Sequence, residues 1–395
     1  MAILDVLNVG QGDSMILNPP SECCFENMTI FVDLGPGQVD VTKYIKKKEN
    51  DIHIFITHHD ADHLNGLKFF VDRMGKVSEI TVPFYQNEIT LIAKCILSLK
   101  GMRNARDCGE FINLLEDVLE GQIYLKKLTR EIATGPQLSF AYEGKNFCDH
   151  IICLNPPVTM DTFRSLNELS IQELSALTYE LFEPDFARSM EIYFRVMASD
   201  GDIIDSREIF DITLNDSLDN LQINADVYRR KGAYVADFIF RNLDLFRLFN
   251  SAPKRETLRA IYKDFIKCAH DACMVLRANY WDKIFLLAGD ASKKVFNRLI
   301  SEGTDISADY LKMPHHGSIQ NISKGILDKI QPDAAIISHN NRRFGKAKDT
   351  HPNMKVLNIL QEKGIRIMLT NDVYKNGKMY MRKASYSGDQ YVDIL

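Results

Sequence analysis

The 395-residue sequence contains no run of eighteen or more apolar residues, which excludes a membrane-spanning helix of ordinary length. Its N-terminus, MAILDVLNVGQGD, lacks the basic start, apolar stretch and small-residue cleavage site of a secretory leader, so a cytoplasmic setting without membrane attachment is expected. The eight cysteines form no CxxC pair, which excludes a zinc ribbon and a recognisable disulfide framework; they read as small buried hydrophobes. Internal repeats and low-complexity tracts are missing too. With 45% hydrophobic residues the chain has the composition of a globular protein, and it is long enough for two domains or for one domain with a large insertion.

Charge is unevenly spread. The net value is −5, yet residues 161–220 carry fourteen acidic side chains against four basic ones, leaving a mildly basic body elsewhere. Such a body suits a polyanionic partner, and the acidic stretch would repel one.

Short strands broken by Gly, Asp and Pro fill the first sixty residues: AILDVLNV, SMILNPP, TIFVDLG and IHIFIT. LNGLKFFVDRM then has helical spacing, and SEITVP returns to a strand. From about 158 to 265 the texture is helical, as in FRSLNELSIQELSALTYELF and YVADFIFRNLDLFRLF. Strands resume at ACMVLRANY and KIFLLAGD and alternate with helices to the end. The expected domains are residues 1–156 with 268–395, interrupted by a mostly helical acidic insertion at 157–267. That insertion is a candidate docking element for a protein partner.

The chemistry concentrates in THHDADH, residues 57–63, at the carboxyl end of IHIFIT. Strand ends of this kind are where sites sit in layered α/β folds. His58, Asp60, Asp62 and His63 offer imidazole nitrogens and carboxylate oxygens, which suit zinc, manganese or iron and do not form an all-oxygen calcium cage. Strand alternation points His59 away from the others. Further strands end in ligand-type residues: Asp33 in FVDLG, Asp290 in LLAGD, and His315 and His316 in KMPHHGS, with His351 in a later loop.

Taken in order, NVGQGDS, FVDLG, HHDADHLNG, LLAGDAS, LKMPHHGS and the distal HPN resemble the metallo-β-lactamase superfamily, and within it the ComEC-like branch related to bacterial competence proteins. The resemblance spans roughly 1–156 and 268–375. It implies an α/β fold, a four-layer αββα sandwich, with two divalent metal ions, zinc or manganese, at one edge. By motif position His58 and Asp60 would bind the first ion, Asp62, His63 and His351 the second, and Asp290 both. Asp33 would act behind the ligands by orienting one of them. Asp60 stands where the commoner pattern has histidine, which leans the site towards harder ions. No histidine occupies one further ligand position of the superfamily; His270, in CAHDAC, is the substitute, with His150 a weaker one.

The expected activity is hydrolysis of a phosphodiester by a hydroxide held between the ions, most naturally in nucleic acid. Asp62 and Asp290 would be indispensable, and His315 or His316 would serve a phosphoryl oxygen or the leaving group, with Ser318 nearby. Arg342, Arg343, Lys346 and Lys348 would meet the flanking phosphates. Two alternatives remain open at this level: hydrolysis of a nucleotide or other small phosphoester, and a partner-regulated component of a multi-protein bacterial defence or competence system.

Overall fold

The computed structural model describes residues 3–21, 23–46, 50–71, 76–130, 136–158, 171–198, 225–341, 351–375, 378–381 and 391–394. It has a mixed α/β architecture and divides into two compact units. The first comprises Met1–Phe84, Ile123–Pro156 and His270–Leu395; the second comprises Tyr85–Gln122 and Pro157–Ala269. Sequence texture assigns 85–122 to the sheet-bearing part, whereas here that segment groups with the helices of the second unit. Hydrophobic periodicity reveals the type of an element but not the neighbour it packs on. Among the described residues no helix is long and apolar enough to cross a membrane.

The first unit holds two seven-stranded mixed sheets. One contains β1 (Leu4–Leu7), β2 (Ser14–Leu17), β3 (Met28–Leu34), β4 (Asp51–Phe55), β5 (Val77–Pro83) and β6 (Gln137–Ala141), with the C-terminal β16 (Tyr391–Ile394) added beside β1. Its β1–β3 part is antiparallel and its β3–β6 part parallel. The other runs in the order β13 (Arg366–Leu369), β12 (Ala334–Ile337), β11 (Tyr310–Lys312), β10 (Lys283–Leu287), β9 (Val275–Tyr280), β8 (Ile151–Asn155) and β7 (Asn146–Cys148). There the parallel strands are β10 to β13, and β14 (Val373–Lys375) and β15 (Lys378–Met381) form a separate antiparallel pair.

Period-two alternation explains the layering. Phe285 and Leu287 join Val6, Met15, Val32 and Phe55 in a core shared by both sheets, while Leu286 and Ala288 face the opposite way. On that far side they meet Val295, Phe296 and Leu299, then Ile326, Leu327 and Ile330, and finally Val356, Leu357 and Leu360. These belong to three amphipathic helices, Lys293–Ser301, Lys324–Ile330 and Met354–Glu362, which begin at side-chain caps from Ser292, Ser323 and Asn353. Parallel order around β3–β5 and β10–β12 directs the loops that follow those strands to one edge.

The helical spacing of LNGLKFFVDRM yields only a short α1 (Ala61–Leu64), which continues as a 3-10 turn over Asn65–Phe69. Gly66 sits so close to β3 that an added Cβ would lie 2.1 Å from the Leu34 carbonyl oxygen. The tight approach draws the chain onto the strand.

The second unit contains α2 (Gln86–Leu97), most of α3 (Gly109–Arg130), α4 (Ile171–Leu181), α5 (Pro184–Ala198), α6 (Ala225–Arg241), α7 (Leu243–Ser251) and most of α8 (Arg255–Asp271). Inside it Tyr85 stacks on Tyr234 with ring centroids 4.4 Å apart, next to a buried Lys231–Glu88 ion pair.

One buried histidine far from the strand ends predicts acid sensitivity. His53 on β4 is 1% exposed, stacks on Phe55 and pairs its Nε2 with Thr81 Oγ1 at 2.9 Å. Burial pushes its imidazole down to about 4, against the pull of Glu79. The unfolded state takes up the proton at higher pH than the native state does, so the contribution is complete above the free imidazole value and is lost as pH falls from there to about 4. Replacing His53 with Phe is expected to reduce, by about 2 kcal/mol, the stability lost between about pH 7.5 and about pH 4.5. Urea unfolding of both proteins at the two pH values checks this.

Candidate metal centre

β4 carries the chain to Thr57, after which His58 and Asp60 precede α1, with Asp60 at its N-cap and Asp62 in its first turn. His270 comes from the end of α8 and Asp290 from the turn after β10. These segments bring four donors together. His58 Nε2 lies 3.4 Å from Asp60 Oδ2 and 3.7 Å from Asp290 Oδ2, and His270 Nε2 lies 3.7 Å and 3.8 Å from the same two oxygens. Donors about 2.0–2.1 Å from a tetrahedral ion stand about 3.4 Å apart, so the group needs little contraction to close on a metal.

A second group consists of Asp62, His63 and His316. His316 Nε2 is 3.1 Å from Asp62 Oδ2, and His63 Nε2 is 4.0 Å from Asp62 Oδ1. Asp290 reaches this group as well, because its Oδ1 lies 3.5 Å from His63 Nε2 while its Oδ2 faces His58 and His270.

The residues fit a cation on a direct observation: the Nε2 atoms of His58, His63 and His270 are all buried without a hydrogen-bond partner. Native structures seldom leave such atoms unsatisfied, and three of them aimed at shared carboxylates call for a ligand. Electrostatics agree. Burial alone would raise the carboxyls of Asp60 and Asp290 and lower the imidazoles of His63, His270 and His316, yet mutual attraction reverses each shift. Asp60 and Asp290 stay well below the usual carboxylate range, and His316 is lifted to about 9 by Asp13 and Asp62. The carboxylates that favour protons on these imidazoles would equally favour a cation. Protons and a metal would compete for the same nitrogens, so metal affinity falls as pH drops.

Behind the donors stands a supporting set. Asp33, fully buried at the end of β3, accepts from Thr57 N, from Thr57 Oγ1 and from His63 Nδ1, each at 2.7 Å. It thereby fixes the tautomer that leaves His63 Nε2 free. His316 is held in the same way, with Nδ1 3.1 Å from the Ser338 carbonyl oxygen. Replacing Asp33 with Asn is expected to weaken metal binding roughly 10- to 100-fold, the usual cost of losing an orienting partner, with the fold retained. Competition with a metallochromic chelator measures it; unchanged affinity would remove Asp33 from this role.

Asp13 and Lys312 complete the support, and both are missing from the sequence-based set. Lys312, on β11, is 0% exposed, with Nζ 2.6 Å from Asp13 Oδ2, and Asp13 Oδ1 lies 3.5 Å from His316 Nδ1. Burial would raise the Asp13 carboxyl, but Lys312 and then His316 hold it well below the ordinary range. A lysine inside the apolar strand YLKM is the sequence signal, since a buried ammonium requires a counter-charge. The preceding Gly12 is required by geometry: its φ is +146°, and a Cβ there would meet the Asp62 carbonyl oxygen at 2.4 Å.

Several expected placements differ. His316, and not His351, joins Asp62 and His63; His351 instead packs edge-on against His315, with ring centroids 4.9 Å apart. His315, His316 and Gly317 all adopt positive φ, of 48°, 52° and 80°. In that left-handed turn the two histidines do not alternate as they would on a strand: His316 is fully buried, while the His315 side chain is 25% exposed. The turn is held by the His315 amide, which donates to Asp290 Oδ1 and to the Gly289 carbonyl. His59 is not turned away but buried, with Nε2 3.0 Å from Asp60 Oδ1. Ser318 is also buried, and its hydroxyl accepts from the Gln320 amide. His150 bonds the Asn279 carbonyl instead of approaching the donors. Arg342, Arg343, Lys346 and Lys348 lie outside the described residues.

No family model matches the chain. A stretch of 100 residues is 35% identical to ComE operon protein 3 of Bacillus subtilis (strain 168), covering 25% of this chain and 12% of that protein. The chain thus spans only a small part of the length of the curated relative it matches.

Proposed function

We propose that the chain is a metal-dependent phosphodiesterase acting on nucleic acid, with a binuclear centre at the edge of a four-layer αββα sandwich of metallo-β-lactamase type. The observation that carries this reading is Asp290, whose two oxygens face different donor groups, Oδ2 towards His58 and His270 and Oδ1 towards His63. His58, Asp60 and His270 would hold one ion, Asp62, His63 and His316 the other, and Asp290 would reach both. The two seven-stranded sheets with a shared core, the motifs resembling the superfamily and the match to ComE operon protein 3 support the fold assignment.

Two divalent ions, when bound, supply Lewis acidity towards a phosphoryl oxygen and a water of lowered pKa. The mixed set, with three aspartates beside its histidines, admits manganese as well as zinc. The chain's own groups do the positioning. His316 is committed to Asp62 and Ser338, which leaves His315 as the histidine of the loop with a partly exposed ring. Burial pushes the His315 imidazole down to about 3, so near neutral pH it is uncharged and can offer one N–H to a phosphoryl oxygen. The basic stretch from Arg342 to Lys348, next in sequence to His351, would contact the phosphates on either side of the scissile one.

The test is hydrolysis by the metal-stripped chain reloaded with manganese or zinc and offered DNA, RNA, bis-(p-nitrophenyl) phosphate and cyclic dinucleotides. Faster cleavage of the long polynucleotides supports the nuclease reading, and cleavage confined to the small esters replaces it with a small-molecule hydrolase. Failure to cleave any phosphodiester with either ion would sink the proposal.

A further inference from the structure

A second group of metal-type side chains lies apart from the histidine and aspartate centre. Cys23 and Cys24, in the loop between β2 and β3, and Cys148, at the end of β7, bring their sulfurs within 4.8 Å of one another. Cys23 is buried, Cys148 partly buried and Cys24 exposed, so the group opens to solvent on one side. No disulfide joins them, and Cys23 Sγ lies 3.7 Å from Cys148 Sγ. That separation is far beyond the roughly 2.05 Å of an S–S bond. It matches the edge, about 3.75 Å, of a tetrahedron of sulfurs placed 2.3 Å from zinc.

The surroundings hold the sulfurs in place. Cys23 Sγ also contacts the Tyr280 hydroxyl at 3.6 Å, Cys148 Sγ accepts from the His150 amide at 3.4 Å, and Cys24 Sγ donates to the Phe147 carbonyl at 3.7 Å. Cys23 and Phe25 belong to the core between the sheets, and Phe147 and Cys148 pack against it. The three thiols therefore join the β2–β3 loop of one sheet to the edge strand of the other. Spacing in the sequence hides the group, because 124 positions separate Cys24 from Cys148.

We infer that Cys23, Cys24 and Cys148 form a thiolate site for a single zinc ion, chemically separate from the histidine and aspartate centre, that ties the two sheets together at the β7 edge. Three sulfur donors select a thiophilic ion, whereas the mixed nitrogen and oxygen donors of the other centre also accept harder ones. The three cysteines supply three ligands, and the open side beside Cys24 leaves room for a water as the fourth.

Cobalt(II) is the probe. Added to the reduced, metal-stripped full chain, about one equivalent is expected to produce sulfur-to-cobalt charge-transfer absorption in the near ultraviolet. The other centre contributes no sulfur and cannot give that band. Cys24→Ser and Cys148→Ser should abolish it, and Cys273→Ser, which alters the buried thiol beside Asp290, should leave it intact. Zinc should also slow alkylation of Cys24 by iodoacetamide about tenfold in the wild-type chain, because a coordinated thiolate is a poorer nucleophile than a free one. That readout stands even where Cys148→Ser does not fold. Absence of the band, alkylation indifferent to zinc, or a Cys23–Cys148 disulfide forming in air with zinc in excess would each overturn the assignment.

Discussion

Asp290→Asn is expected to lower kcat by about 10³-fold, on the order of 4 kcal/mol of transition-state stabilisation, and to remove about one equivalent of bound metal. The substitution keeps the size of the side chain but replaces an anionic oxygen by an amide nitrogen that repels a cation. Asp290 faces four imidazoles through its two oxygens, with His58, His270 and His315 at 3.7 Å, 3.8 Å and 3.7 Å from Oδ2 and His63 at 3.5 Å from Oδ1, so loss of either oxygen deprives one donor group of its shared ligand. The amide of His315 also bonds Asp290 Oδ1, and this histidine would lose part of its anchor. Steady-state kinetics and elemental analysis of the dialysed protein test both effects. A variant with full metal content and undiminished kcat would show that Asp290 does not serve two ions. A variant with normal metal content and low kcat would place it in positioning His315 alone.

How much of this centre was legible beforehand depends on how local each part is. His58, Asp60, Asp62 and His63 lie within six positions on one strand end, and strand period plus composition suffice to find them. Asp33 and Asp290 share the grammar of a strand closing on an acid, whereas His270 comes into view only through the resemblance, as a candidate for a ligand position otherwise unfilled. His316 lies beside Asp62 and His63 while His351 packs on His315, an arrangement that motif order does not reveal because it depends on backbone dihedrals. Three successive left-handed residues in PHHG reverse the order in which side chains face inward, and no hydrophobic period reports that.

The same distinction governs the fold. Strands β1 to β5 and β9 to β13 follow patterns readable along the chain, and the helical texture after residue 158 is equally plain. The pairing of β16 with β1, which brings residues 391–394 beside residues 4–7, joins segments almost a chain length apart. Nor does local pattern show that Tyr85–Gln122 belongs with the helices and not the sheets. Cys23, Cys24 and Cys148 repeat the lesson on a smaller scale, since a spacing that excludes a CxxC ribbon says nothing of thiols assembled across two sheets.

Lys312→Met should destabilise the chain by about 3–5 kcal/mol, the cost of leaving one partner of a buried ion pair uncompensated. Methionine preserves the length and apolar stem of lysine in the middle of β11, so little packing is lost. What is lost is the ammonium 2.6 Å from Asp13 Oδ2 and its bond to the Met313 carbonyl. Asp13 then retains only more distant imidazoles, His316 at 3.5 Å and His63 at 4.0 Å. In the wild type the Asp13 carboxyl is depressed, so its contribution is present above the free carboxylate value and is lost only as pH falls through the lower native one. Without Lys312 burial raises that carboxyl, and the variant can relieve the charge by taking up a proton. The deficit should therefore be largest near neutral pH and shrink in acid. Adding Asp13→Asn to Lys312→Met should recover part of the stability, because a neutral amide costs less to bury than an unpaired carboxylate. Denaturant unfolding of the wild type, both single variants and the double variant completes the cycle. Strict additivity of the two substitutions would mean that Asp13 and Lys312 do not act as a pair, and that the charge behind His316 is balanced elsewhere.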